Sequence, residues 1–305
     1  MIGPDLQRDL VGLLGERVRF DVATRRFTSL RVGGPADAVA EPADRAELAA
    51  LLRLCAHHRS PHRVLGRGFN TLVRDEGLDG VLIRLVRFRA LEERPGALRV
   101  EAGVSHASLT RFCRERGLTG LEFAAGIPGT VGGWIAMNAG IGTREMKDVV
   151  RELEVMSPTG AKRRHLPRER LRFVYRGLRG LAPGSVVISA LLAVEEAKRA
   201  EVEAEVKRLL ARRAATQPLD VPSCGSVFKN PPHRFAGQLI EAAGLKGERF
   251  GGACISPVHA NFIVNEGDAT AADVLALIGK ARAVVRARTG ILLQREVKVW
   301  GRGEA

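Results

Sequence analysis

Ser223-Cys-Gly-Ser-Val-Phe-Lys-Asn-Pro-Pro232, then Ala236-Gly-Gln-Leu-Ile-Glu-Ala-Ala-Gly-Leu-Lys-Gly247, then His259-Ala-Asn-Phe-Ile-Val-Asn265 form the stretch from which the chain is best read. Ser226 lies in a turn of small residues, and Lys229 and Asn230 follow closely. A hydroxyl, a fixed positive charge and a hydrogen-bonding amide so close together suit a polar site that handles an anion. The second piece reads as a short helix over 236–243 that stops at Gly244. Beyond the third piece, Thr270 with Asp273 three residues on predicts a capped helix ending at Gly290. A last strand is expected over 292–300, with Gln294, Glu296 and Lys298 on one face and Val297 and Val299 on the other. The C-terminal third therefore reads as a compact unit of mixed helices and strands.

Working back towards the N-terminus, strand and helix signals alternate, which defines an α/β chain. Residues 36–41 read as a strand. Asp44-Arg-Ala-Glu47 resembles a capping box ahead of a helix with Leu48, Leu51, Leu52 and Cys55 on one face. Strands are expected near 63–66, 81–85, 98–102, 153–156 and 185–194. Ser105 is placed as the cap of a helix closed by Gly117. A charged helix over about 196–215 carries Val202, Val206, Leu209 and Leu210 at helical spacing, and Pro218 and Pro222 end it. The main domain boundary is placed in or near it.

The 305 residues suffice for several domains with real cores. A hydrophobic content of 45% and a charged content of 27% are those of an ordinary globular protein. No uncharged apolar run approaches the ~20 residues of a membrane span. Residues 1–14 read as a short amphipathic helix broken by Gly12, unlike a secretory signal. Cys55, Cys113, Cys224 and Cys254 stand far apart, so neither a zinc site nor a disulfide framework is expected, and a cytoplasmic location is. Lys and Arg number 48 against 34 Asp and Glu, a net charge of +14. A basic surface, a polyanionic small ligand and nucleic acid would each account for that charge. The densest basic cluster, from Lys162 to Arg176, holds few aromatics and no nucleic-acid module signature.

Two glycine-rich segments stand in the first half: Leu65-Gly-Arg-Gly-Phe-Asn70 and Gly126-Ile-Pro-Gly-Thr-Val-Gly-Gly133. Neither is Gly-x-Gly-x-x-Gly, so the Rossmann fingerprint is absent. Each alone reads as a tight turn as readily as a phosphate cradle. Together they favour a dinucleotide cofactor, because side-chain-free backbone lets N–H groups approach an anion. Thr130 ahead of an apolar segment also reads as a helix start, where a pyrophosphate would sit well.

With these segments in place, the chain resembles the UDP-N-acetylenolpyruvoylglucosamine reductases over residues 28–300. The resemblance is carried by residues 28–36, 65–73, 126–140, Tyr175-Arg176, 222–231, 236–247, 259–265 and Arg295-Glu296-Val297, in matching order and spacing. It implies a two-subdomain FAD-binding fold of the vanillyl-alcohol-oxidase type followed by a C-terminal α+β substrate domain, in the compact subclass without a tyrosine-loop insertion. The expected domains are 1–88, 89–200 and 201–305. FAD would be held non-covalently by Gly66, Arg67, Gly68, Phe69, Asn70, Gly126, Ile127, Pro128, Gly129, Thr130, Gly132, Gly133, Asn138 and Arg213. Tyr175, Lys229, Asn230, Gln238, His259 and Asn261 match substrate positions. No metal is implied.

The resemblance also implies the reaction. NADPH reduces the flavin, which delivers hydride from N5 to UDP-N-acetylglucosamine enolpyruvate, giving UDP-N-acetylmuramate for peptidoglycan. Ser226 matches the proton donor, and Arg176 and Glu296 match the pair that stabilises the intermediate. A guanidinium beside the substrate carboxylate suits charge building there. A monomer without membrane or nucleic-acid partners is expected. Read from the residues alone, Arg176 is more readily a solvated surface arginine, and Ser226 can be a turn serine and Glu296 half of a cross-strand pair. An oxidase on the same fold and a nucleic-acid binder are the alternatives. The first lacks a His or Cys in the glycine loops for covalent flavin. Phe69 in place of serine, Trp134 in place of a small residue, and Ile141-Gly-Thr-Arg144 depart from the family pattern and bear on FAD retention.

Overall fold

The computed structural model describes residues 1–303. Its α-helices among those residues are α1 (Pro4–Leu14), α2 (Arg45–His57), α3 (His106–Arg116), α4 (Val131–Ala136), α5 (Arg199–Thr216), α6 (Ala236–Ala242) and α7 (Ala271–Thr289). Local chemistry sets their ends. The Asp44 carboxylate accepts from the N–H groups of Ala46 and Glu47, and Ser105 Oγ accepts from Ser108 N–H. Thr270 and Asp273 complete a reciprocal capping box on α7. Gly117 and Gly290 close α3 and α7 in the left-handed region, at φ 64° and 74°.

Several local expectations are corrected. Gly12 does not break α1, because its side of the helix is open and the buried face is Leu6, Leu10 and Leu14. Glu47 does not complete a capping box with Asp44; it accepts from Ala43 N–H and pairs with Arg17. On α5, Val202 and Val206 are buried but Leu210 lies exposed, so the apolar stripe is shorter than its spacing implies. The final strand covers only Lys298–Trp300. Residues 292–297 run irregularly, because the N–H groups of Glu296 and Val297 both turn to the Val227 carbonyl.

The chain forms two compact units, each discontinuous in sequence. The first comprises Met1–Phe20, Asp37–Gly66 and Gly80–Arg213. It contains two cores. One packs α1 and α2 with Ala38, Val81, Ile83, Met156 and Ile188. The other packs α3 and α4 against an antiparallel five-stranded sheet. That sheet runs in the order Arg163–Pro167, Val150–Met156, Val186–Ala193, Ala97–Glu101, Leu91–Arg94.

The second unit comprises Asp21–Ala36, Arg67–Asp79 and Ala214–Ala305. Its antiparallel sheet runs Ser223–Ser226, Phe262–Asn265, Ala253–Ile255, Arg249–Phe250. Beside it, Lys298–Trp300 pairs in parallel with Thr71–Val73. Its core unites Leu30, Val32 and Leu72 with Phe228, Ile240, Val274, Ile278 and Val297. The apolar side chains of 21–36 and 67–79 thus bury with those of the C-terminal third. Among the described residues no helix is long and apolar enough to cross a membrane, and no cluster of His, Cys, Asp or Glu could hold a metal ion.

Candidate active site

In the second unit the site is built on a distorted strand end. Ser223 pairs with Val264 and Ser226 with Phe262, with a register shift between them. Gly225 takes up that shift at φ 72°, a conformation costly for any residue with a Cβ. Cys224 beside it is fully buried, and burial pushes its thiol up to about 12, so it is no nucleophile at neutral pH. Ser226 is left half-buried at the strand end.

The next residues clasp the C-terminal segment. The Val227 carbonyl accepts from Glu296 N–H at 2.8 Å, and Lys229 N–H donates to the Gln294 carbonyl at 2.9 Å. Phe228 bridges to Arg295 between them. Ser226 and Glu296, far apart in sequence, are thus held by adjoining backbone. The half-buried Glu296 is fixed by main-chain bonds on both sides, since its own carbonyl accepts from Asn70 Nδ2 at 3.2 Å.

Other residues of this unit take different places. Asn261 is 4% exposed, and its side chain is occupied by the backbone: Oδ1 accepts from Phe228 N–H at 3.0 Å and Nδ2 donates to the Phe228 carbonyl at 2.8 Å. Asn230 Oδ1 accepts from Ala236 N–H at the start of α6. Gln238 is exposed and Lys229 half-buried. His259 packs its ring over Gly237, where an added Cβ would come within 3.2 Å of Cε1. Its Nδ1 accepts from Asn261 N–H at 3.1 Å, which leaves the proton on Nε2 in the neutral ring. Burial holds its pKa below the ordinary value.

In the first unit Gly66, the first glycine of one segment, meets Thr130 of the other. Gly66 faces Thr130 so closely that a Cβ there would lie 2.7 Å from Oγ1. Gly129 adopts φ 134°, and the Trp134 indole folds back to donate to the Pro128 carbonyl at 3.4 Å. One expectation changes. The first N–H groups of α4 are not presented to a ligand: Val131 N–H donates to the Val104 carbonyl and Gly132 N–H to that of Ala102. A Cβ on Gly132 would lie 2.8 Å from that of Ala102, so this glycine serves close packing. Asn138 is wholly buried, with its amide shared between the Glu145 carboxylate at 2.9 Å and the Val174 carbonyl at 3.1 Å. Arg213 is lowered in pKa by burial.

Arg176 occupies the second position of a two-residue turn, with Tyr175 first, between the strands Arg172–Val174 and Gly177–Arg179. It holds φ 55°, a left-handed conformation that arginine seldom adopts. Its guanidinium lies 4.9 Å from the Tyr175 ring centroid and 3.7 Å from Glu145 Oε1.

Sequence reasoning passed over two residues. Ser29 Oγ lies 3.0 Å from the Gly68 carbonyl and 2.6 Å from that of Ser223, tying the 66–70 loop to the strand that carries Ser226. Glu145 is the other; its only sequence signal was the spacing to Asp148, which forms a capping box.

The residues where Gly66 meets Thr130 fit a flavin dinucleotide: glycine backbone without a Cβ stands beside a hydroxyl, with Gly129 next to it in a conformation that favours glycine. Residues 36–164 match the family described as FAD binding domain. Residues 217–300 match the C-terminal domain of UDP-N-acetylenolpyruvoylglucosamine reductase. The UDP-N-acetylenolpyruvoylglucosamine reductase 2 of Symbiobacterium thermophilum is 46% identical over 286 residues, 93% of this chain and 92% of the relative. The reductase of Geotalea uraniireducens is 42% identical over 298 residues, 97% of this chain and 98% of its own. The crystal structure of the Thermus caldophilus enzyme superposes with a TM-score of 0.80 at 37% identity, over 93% of this chain and 99% of that one. An FAD-binding half joined to this C-terminal domain defines an FAD-dependent oxidoreductase. The chain belongs to the UDP-N-acetylenolpyruvoylglucosamine reductase family.

Proposed function

We propose that this chain reduces the enolpyruvyl ether of UDP-N-acetylglucosamine enolpyruvate to the lactyl ether of UDP-N-acetylmuramate, with NADPH as reductant and Ser226, Arg176 and Glu296 as the catalytic groups. Family membership supports the reaction. The observation that carries the pairing of Ser226 with Glu296 is the clasp in which Glu296 N–H meets the carbonyl of Val227, the residue after Ser226; Arg176 rests on the family match. FAD, when bound, supplies the hydride received by the terminal vinyl carbon. The neighbouring carbon and its carboxylate then gain electron density, and the Arg176 guanidinium lowers the energy of that charge. Ser226 donates its hydroxyl proton to that carbon, completing the addition of one hydride and one proton. Serine is a weak acid, so Glu296, in its carboxylic-acid form, assists by passing its proton to the serine oxygen and is reprotonated from solvent after turnover.

Gly66, Arg67, Gly68, Phe69 and Asn70 with Gly126 to Thr130, Gly133 and Arg213 would hold the cofactor, while Gly132 serves close packing against Ala102. Tyr175, Lys229, Asn230, Gln238 and His259 would meet the substrate. Asn138 and Asn261 are assigned instead as supports, because their amides are bonded to the protein itself. The functional modules proposed are 1–88, 89–200 and 201–305, with 21–36 and 67–79 packed into the last. A monomer in the cytoplasm is proposed. The four cysteines, buried and outside any disulfide, accord with a reducing compartment.

The test is the visible spectrum of the purified protein under anaerobic conditions. NADPH is expected to bleach the flavin band, and UDP-N-acetylglucosamine enolpyruvate to restore it. Restoration only by oxygen would replace the reductase reading with an oxidase. A protein that stays colourless after addition of FAD would refute the cofactor assignment.

A further inference from the structure

We infer that Glu145 is a positioning residue for Arg176, with Asn138 as the latch between them; this rests on the assignment of Arg176 above. Arg176 is a long side chain on a two-residue turn, and only its surroundings can give the guanidinium a fixed direction. The Glu145 carboxylate supplies one. Oε1 lies 3.7 Å from Arg176 Nη1, and both side chains are largely buried.

Glu145 is itself tightly held. Its Oε2 accepts from Asn138 Nδ2 at 2.9 Å and lies 2.9 Å from Lys147 Nζ. Its side chain also accepts from Asp148 N–H in the capping box, while Asp148 accepts from Glu145 N–H. Asn138 then ties the carboxylate to the hairpin, since the same Nδ2 donates to the carbonyl of Val174, two residues before Arg176. Its Oδ1 accepts from Lys147 N–H at 2.9 Å. To make these bonds Asn138 holds φ 42°, a left-handed conformation that asparagine tolerates better than most residues. One buried amide thus registers the turn that carries the cation against the carboxylate that orients it.

The charges support the same reading. Arg176, Lys147 and Arg168 against Glu145 and Asp148 leave one net positive charge, so a substrate carboxylate arriving at Arg176 completes a balanced set of three cations and three anions. Glu145 orients the guanidinium without cancelling the attraction for that carboxylate, because Lys147 shares the same oxygen as Asn138.

The experiment is stopped-flow analysis of the holoenzyme in Glu145→Gln, Glu145→Asp, Arg176→Lys and the double variant E145Q/R176K. In Glu145→Gln, flavin reduction by NADPH is expected at the wild-type rate, with reoxidation by substrate slowed about 10- to 100-fold, the scale of a misplaced catalytic group. Glu145→Asp is expected to recover part of the loss, and the double variant to be no slower than R176K. Calorimetry gives a second readout: affinity for UDP-N-acetylmuramate falls in E145Q and R176K while affinity for UDP, which lacks the lactyl carboxylate, does not. Equal loss in both half-reactions with a lowered Tm would make Glu145 merely structural and overturn the inference. If R176K slows reoxidation and E145Q does not, the inference fails alone. If R176K leaves reoxidation untouched, the assignment of Arg176 fails first. Should E145Q not fold, Glu145→Asp carries the test by its half-reaction split.

Discussion

Asn70 donates its side-chain amide to the main-chain carbonyl of Glu296 at 3.2 Å, and its own carbonyl accepts from Lys298 N–H at 3.0 Å. The last residue of a glycine loop thereby fixes the backbone of the carboxylate assigned to proton transfer. Replacing Asn70 by Ala is expected to cost about 1 kcal/mol of stability, the worth of a typical hydrogen bond. Turnover should fall by more than that loss of folded protein explains, because Glu296 shifts. Urea denaturation and steady-state kinetics on the same preparation separate the two effects.

Ser226→Ala removes the hydroxyl of the residue next to Val227, whose carbonyl Glu296 N–H meets. Flavin reduction by NADPH should stay at the wild-type rate, while reoxidation by substrate falls about 100- to 10,000-fold, the range of a general acid. Reoxidation within tenfold of wild type would send the proton donor elsewhere.

Gly66→Ala places a Cβ 2.7 Å from Thr130 Oγ1, so the Thr130 hydroxyl must turn away from Gly66. The variant is expected to fold and to lose flavin on gel filtration, with the absorbance ratio at 450 and 280 nm falling below wild type. Full retention would show that the contact does not shape the cofactor site.

Glu154 anchors the first unit. It is 4% exposed, takes a two-pronged bond from Arg45 at 2.9 Å on each oxygen, and accepts from Ser189 Oγ at 2.7 Å. Burial pushes its pKa up, but Arg45 and Ser189 outweigh burial and hold it below the ordinary 4.5. A carboxylate with a lowered folded pKa stabilises fully above the unfolded value and loses that contribution as pH falls through the folded one. Glu154→Gln should lose about 3 kcal/mol at pH 7, the cost of breaking a buried pair. The gap to wild type should narrow below pH 4.5, as followed by thermal melts across pH.

His259 acts in the opposite sense. Burial lowers its folded pKa below the ordinary 6.5, so the unfolded chain takes up a proton first and stability declines as pH falls from 6.5 towards the folded value. His259→Asn is expected to remove that decline while losing packing at every pH. Parallel pH slopes in the two proteins would assign the decline to other groups.

What the sequence disclosed follows the reach of each interaction. Ser105, Gly117, Thr270, Asp273 and Gly290 act within a few residues, and their caps stand where the pattern puts them. Ser226 and Glu296 were singled out by resemblance, but their shared backbone was invisible, because it depends on Val227 accepting two N–H groups from a segment whose alternation reads as a plain strand. Asn138 and Asn261 illustrate the same limit. A conspicuous amide in a motif reads as a ligand contact, and only the fold shows that each one braces the protein's own backbone.

Leu30, Val32 and Leu72 are each at most 2% exposed, in a core otherwise made of residues from Cys224 onward. Chain growth runs from the N-terminus, so these early side chains have no partners until the C-terminal third has left the ribosome. The nascent protein must carry unpaired apolar segments through most of its synthesis, a state prone to association with other chains. A fragment limited to residues 217–300 would meet the converse difficulty, with three vacancies in its interior. The order of biosynthesis and the order of assembly differ in this molecule, and its yield in a cell depends on how well those waiting segments are shielded.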